Sequence, residues 1–128
     1  MKKLFVATVS LLLLTACQES LEERCAREAK TYTEKNCPAY INKSTRIDSL
    51  TFDAVTHTVS YCYSLIGDAD VPGSINEKEA RQTLLNEVKN STNLKIYRDE
   101  GYNIRYIYHS GSRPNEVMLE VAFTKNDY

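Results

Sequence analysis

Residues 68–79 come nearest to a metal-binding arrangement anywhere in this sequence. Asp68, Asp70 and Glu79 stand at positions one, three and twelve of a calcium loop, with Gly73 at position six, where such a loop turns sharply. Calcium takes about six to eight hard oxygen ligands, so two spaced aspartates and a closing glutamate suit it. Two features depart from that layout. Pro72 occupies a ligand position, and the segment before the loop reads as a strand. Asp, Pro and Gly equally build an ordinary turn, and Ser74 with Glu77 forms a capping box that would start a helix. The loop-and-cap reading is favoured over calcium, and no cofactor is expected. His57 and His109 are the only histidines, each at a strand end beside a turn. Neither a Gly-x-Ser-x-Gly nor a His-Glu-x-x-His stretch occurs, so no catalytic residue is assigned. A small hydrolase using His57 or His109 is the weakest functional reading.

Thiol chemistry comes next. Four cysteines are present: Cys17, Cys25, Cys37 and Cys62. Cys17 follows Leu14-Thr15-Ala16 at the end of an apolar run, Leu4 to Leu14, which Lys2 and Lys3 precede. That is the layout of a secretory leader, and the run is too short to span a bilayer. Its end resembles the lipobox of bacterial lipoproteins, which implies a diacylglycerol on the Cys17 thiol, cleavage before it and an acylated new N-terminus. Two or more chains give stable attachment at about 0.8 kcal/mol per buried CH₂. The expected organisation is a cleaved signal peptide over 1–16, a lipidated N-terminus and short tether over 17–19, and one domain over 20–128. Gln18 stands where an Asp favours inner-membrane retention, so the outer membrane facing the periplasm is expected, with surface display open.

The exported compartment permits disulfides. Three cysteines remain after Cys17, enough for one bridge and a spare thiol. Cys25 and Cys37 lie about 18 Å apart along a helix, too far to pair. Cys37–Cys62 is the preferred bridge and Cys25–Cys62 the runner-up. No Cys-x-x-Cys or Cys/His cluster points to zinc or redox work.

The elements that position these residues follow from periodicity. Ser20 to Lys35 reads as a helix with Leu21, Cys25, Ala29 and Tyr32 on one stripe, ended by Asn36-Cys37-Pro38. Thr45 to Phe52 and Thr58 to Ile66 read as a hairpin about the turn Asp53 to Thr56. Val59, Tyr61, Tyr63 and Leu65 share one face of the second strand; Thr58, Ser60, Cys62 and Ser64 share the other. A second helix begins at Ser74, with Ala80, Leu84 and Val88 as its buried stripe. A short helix over Asn93 to Glu100, a strand over Tyr102 to His109 and a last strand with Val117, Leu119, Val121 and Phe123 inward complete the chain. The order α-β-β-α-β-β predicts an α+β domain: an antiparallel four-stranded sheet with helices on one face. Tyr61, Tyr63, Tyr102, Tyr106 and Tyr108 would form a recognition surface only on the helix-free face; otherwise they are core. Arg105 and His109 lie opposite the Tyr stripe. Asp48-Ser49-Leu50 resembles a three-residue O-glycosylation motif of exported bacterial proteins, although an ordinary strand Asp-Ser pair explains Ser49 as well.

Without the leader, 14 basic residues face 17 acidic ones. A weakly acidic domain with no basic run gives no reason to expect nucleic acid. Nine Tyr with few Gly and Pro indicate an ordered, strand-containing domain.

Several stretches together, Asn36-Cys37-Pro38, Thr45 to Leu50, Tyr61 to Leu65 and Gly101 to Tyr108, resemble a group of small exported bacterial lipoproteins without an established function. The resemblance implies one compact extracytoplasmic domain and transfers no catalytic residue. The leading functional expectation is a non-enzymatic, lipid-tethered envelope protein that binds another protein or an envelope component. The alternative is an inhibitor or immunity-type protein acting on an envelope-directed enzyme.

Overall fold

Ser20 starts the first helix: its hydroxyl accepts the Glu23 amide at 3.1 Å, and α1 then runs Leu21–Asn36. Glu22 and Glu23 sit at the positive end of its dipole. Cys25 and Ala29 are buried, whereas Tyr32 at the end of the expected stripe is 39% exposed. The computed structural model describes residues 18–128, so the leader and Cys17 lie outside the described residues. β1 (Ala39–Asn42), β2 (Thr45–Asp53) and β3 (Thr58–Leu65) follow. A 3-10 turn, Gly67–Ala69, leads to α2 (Glu77–Asn90). A second 3-10 turn, Thr92–Leu94, runs into α3 (Lys95–Asp99), then β4 (Asn103–Ser110) and β5 (Val117–Phe123).

The sheet has five strands in the order β1-β2-β3-β4-β5, not the four antiparallel strands expected. β1 was hidden in four exposed residues too short to alternate. β3 and β4 pair in parallel, with Val59 against Ile104 and Tyr63 against Tyr108; the other pairs are antiparallel. The crossover explains this. Fourteen residues of α2 carry the chain about 21 Å back along the sheet, so β4 starts at the end where β3 started.

The second helix also starts later than expected. Asn76, not Ser74, is its N-cap, accepting the Glu79 amide at 3.1 Å. The Ser74 hydroxyl instead donates to the Ala69 carbonyl at 3.3 Å.

The three helices among the described residues pack on one face. Cys25, Leu84, Val88, Leu94 and Tyr97 meet Val59, Ile104, Tyr106, Leu119, Val121 and Phe123 in one core. Val59, Ile104 and Phe123 are completely buried, each contributing roughly 1.5–3 kcal/mol. The tyrosine stripe belongs to this core side. Tyr61 stacks on Tyr106 at 5.4 Å and Tyr63 on Tyr108 at 4.7 Å, pairs of about 0.5–1.5 kcal/mol each. They are packing residues, not a recognition surface on the helix-free face.

Where β1 stops pairing, α1 takes over. The Thr33 hydroxyl accepts the Leu50 amide at 2.9 Å and lies 2.8 Å from the Leu50 carbonyl. It thereby closes an open stretch of the β2 edge.

Candidate functional site

One end of the sheet carries a groove of about 490 Å³ between the sheet and α2. Its floor is Leu65 from β3, Tyr108 from β4 and Leu119 from β5; its wall is Ala80, Thr83 and Leu84 from α2; its rim is Asp68, Ala69, Ser74 and Ile75. The lining is apolar apart from the Thr83 and Ser74 hydroxyls, the Asp68 carboxylate and the Tyr108 phenol. Burial pushes that phenol up to about 12, so it stays neutral at physiological pH. The groove exists because the buried stripe of α2 narrows from Val88 and Leu84 to the small Ala80. That step is visible in the sequence, but the stripe alone reads as uniform core.

The rim is braced. Asp70 Oδ2 accepts from the Ser112 amide at 2.9 Å and from its hydroxyl at 2.6 Å, and Asp70 Oδ1 accepts from Arg113 at 3.2 Å. The Ser110 and Ser112 hydroxyls, the Ser112 amide and the Arg113 guanidinium hold the Asp70 carboxyl well below the usual carboxylate range. The Gly111 amide donates to the Leu65 carbonyl at 2.9 Å. The loop after β3, which carries the Asp68 and Ala69 rim, is thus tied to the β4–β5 turn. The sequence offered Asp70 as a candidate calcium ligand beside the favoured loop reading and did not show this partnership, because Ser112 and Arg113 are far away along the chain.

Asp68 lies on the groove rim, and Glu79 sits in the first turn of α2, while Asp70 spends its oxygens on Ser112 and Arg113. Among the described residues no group of three or more His, Cys, Asp or Glu side chains is placed to hold a metal ion.

The two histidines point elsewhere. His57 ends the β2–β3 turn with φ +53, stacks on Tyr102 at 5.0 Å and lies 3.6 Å from Glu22. His109 lies in register with Ser64 across β3 and β4 on the face away from the helices, with Nδ1 buried and without a hydrogen bond among the described residues. Beside it, Ser64 donates to Asp48 at 2.5 Å and Arg46 donates to Asp48 at 2.6 Å. The carboxylate therefore engages Ser64 directly and is held by Arg46; it does not orient His109 as a base. Arg105, on the same face, pairs with Glu120 at 2.6 Å. Ser49 closes a bulge in β2 opposite Cys62.

Cys25, Cys37 and Cys62 are free thiols, so the expected Cys37–Cys62 bridge and its runner-up are not formed. Cys37 precedes β1 and Cys62 lies in β3, on opposite sides of β2. Two strand spacings amount to about 9.5 Å, beyond the reach of a disulfide. Cys25 is buried in the core under α1, and burial pushes its thiol up.

These features describe a small α+β domain with an apolar groove between its sheet and α2. Residues 1–18 match the prokaryotic membrane lipoprotein lipid attachment site, which makes this a membrane lipoprotein of the cell envelope. Residues 20–119 match the family described as a domain of unknown function, DUF8479, and the chain belongs to that family. No curated protein matches it in sequence. The fold is shared with a crystal structure of a protein described as secreted from Pseudomonas aeruginosa, at TM-score 0.66 and 14% identity over 86% of this chain and 98% of that one. It is similar too to EpsS, a pilotin of the Vibrio vulnificus type 2 secretion system, at TM-score 0.64 and 13% identity, covering 84% and 90%. AspS, the type II secretion pilotin of Vibrio cholerae, gives 0.61 and 16%, covering 84% and 92%.

Proposed function

We infer that this lipoprotein is a non-enzymatic adaptor, held at the outer membrane and facing the periplasm, that receives an apolar segment of a protein partner in the groove beneath α2. The preformed groove carries this reading. The loop that forms its rim is braced by Asp70, its lining is mostly apolar, and among the described residues no nucleophile–base pair faces it. A concave apolar site with few polar groups suits a hydrophobic anchor from a partner. The pilotin names of two fold neighbours support a component of a secretion assembly as that partner, and Gln18 in place of Asp supports the outer membrane.

A photo-crosslinker placed at Thr83, on the wall of the groove, tests this in envelopes of the native host. The expected product is a crosslink to one component of a secretion assembly. Ala80→Glu, which puts a charge inside the groove, is expected to weaken capture about tenfold or more, equivalent to roughly 1.4 kcal/mol. Capture unaffected by Ala80→Glu would rule out the groove as the binding site. Recovery of a toxin or lytic enzyme instead would favour an inhibitor.

A further inference from the structure

We propose that the β2–β3 turn, Asp53 to His57, is a membrane-contact surface that rests on the headgroup layer of the bilayer holding the protein's own lipid, with the groove at the far end of the sheet. Only Gln18 and Glu19 separate Cys17 from the N-cap Ser20. Three residue steps reach about 10 Å at most. Within that span Arg27 pairs with both Glu19 oxygens, Nε and Nη2 each lying 2.9 Å away. The start of α1 therefore stays beside the headgroups.

The turn shares that end of the molecule. Tyr102 donates to Glu22 at 2.9 Å, and the stacked His57 lies 3.6 Å from the same Glu22 oxygen. The turn is stiff as well. Asp53 Oδ1 accepts the Val55 amide at 2.8 Å and the Thr56 amide at 3.2 Å, and His57 adopts the left-handed conformation. Its tip presents Val55, which is 89% exposed, more than any other large hydrophobic described. A lone exposed valine is ordinary on a protein surface; here it projects from the end that carries the lipid.

The chemistry selects a neutral interface. Glu22, Glu23 and Asp53 lie at this end, and its arginines are already paired, Arg24 with Glu28 and Arg27 with Glu19, so anionic headgroups gain no net attraction. Eight residues of β3 put the groove about 23 Å from the turn, clear of the headgroups and open to the compartment. This orientation depends on the lipid attachment and the tether, not on what fills the groove.

The test uses the lipidated full protein in phosphatidylcholine–phosphatidylethanolamine vesicles containing a headgroup-linked nitroxide quencher. An environment-sensitive fluorophore is attached through Val55→Cys or, at the opposite end in the β1–β2 turn, Lys43→Cys. Both are made in a Cys37→Ser, Cys62→Ser background whose folding is checked by thermal melting. Quenching at position 55 is expected to be several-fold stronger than at position 43. Inserting a flexible linker of about ten residues between Gln18 and Glu19, with a mean span of roughly 17 Å, should abolish most of that difference. Equal quenching at the two positions, stronger quenching at 43, or a difference untouched by the linker would overturn the proposal.

Discussion

Thr33→Val isolates the bond that docks α1 onto the sheet. The Thr33 hydroxyl accepts the Leu50 amide at 2.9 Å and shares its proton between the Leu50 carbonyl at 2.8 Å and the Ala29 carbonyl at 3.0 Å. Valine keeps the branched shape and a similar helix propensity, so the loss reports on the hydroxyl. Two net hydrogen bonds at about 1 kcal/mol each disappear, and two half-buried backbone groups on Leu50 are left without a protein partner. The expected cost is about 2 kcal/mol. In a domain of this size that lowers the melting temperature by roughly 6–12 °C. Urea unfolding of the detergent-solubilised protein, followed by circular dichroism, measures it. Thr33→Ser keeps the hydroxyl and should recover most of the loss. A Thr33→Val variant with the midpoint and slope of the wild type would refute the claim that this hydroxyl substitutes for the missing strand.

Two further outcomes follow at the groove end. A Cβ on Gly111 would stand 2.7 Å from the Leu65 carbonyl oxygen and 2.6 Å from Ile66 Cδ1, so Gly111→Ala must push the β4–β5 turn away from β3. A destabilisation of about 1–3 kcal/mol is expected, and unchanged melting would contradict the close approach. Asp70 gives a pH signature. Its carboxyl is lowered from 3.8, so its contribution is complete above about pH 4 and is lost as the pH falls further, through the folded-state value. The stability gap between wild type and Asp70→Ala should therefore be constant from pH 7 to about pH 5 and shrink in acid. A gap that persists undiminished to pH 2 would argue that the carboxylate's charge is irrelevant to the brace.

The lipid attachment site, the first helix and the faces of β3 to β5 were legible because each is written locally. A leader is a run of residue types, a helix is a stripe at fixed spacing ended by a proline, and strand alternation assigns faces before any partner is known. Val59, Tyr61 and Tyr63 were placed on one face and Ser60, Cys62 and Ser64 on the other, and the sheet keeps that division.

Choices between local alternatives of similar strength were not legible. Ser74 and Asn76 can each cap α2; Ala69 takes the Ser74 hydroxyl, leaving the cap to Asn76. Hydrogen-bonding groups on a strand do not name their partner, so the parallel β3–β4 pairing emerged only from the direction in which α2 returns the chain. β1, the groove and the Asp70 brace likewise depend on contacts between distant segments, up to 43 positions apart for Asp70 and Arg113. Residue types and short spacings thus determined where this protein is held and which faces its strands bury. Tertiary structure decided what stands beside what, because strand pairing and the charge at Asp70 are satisfied across space.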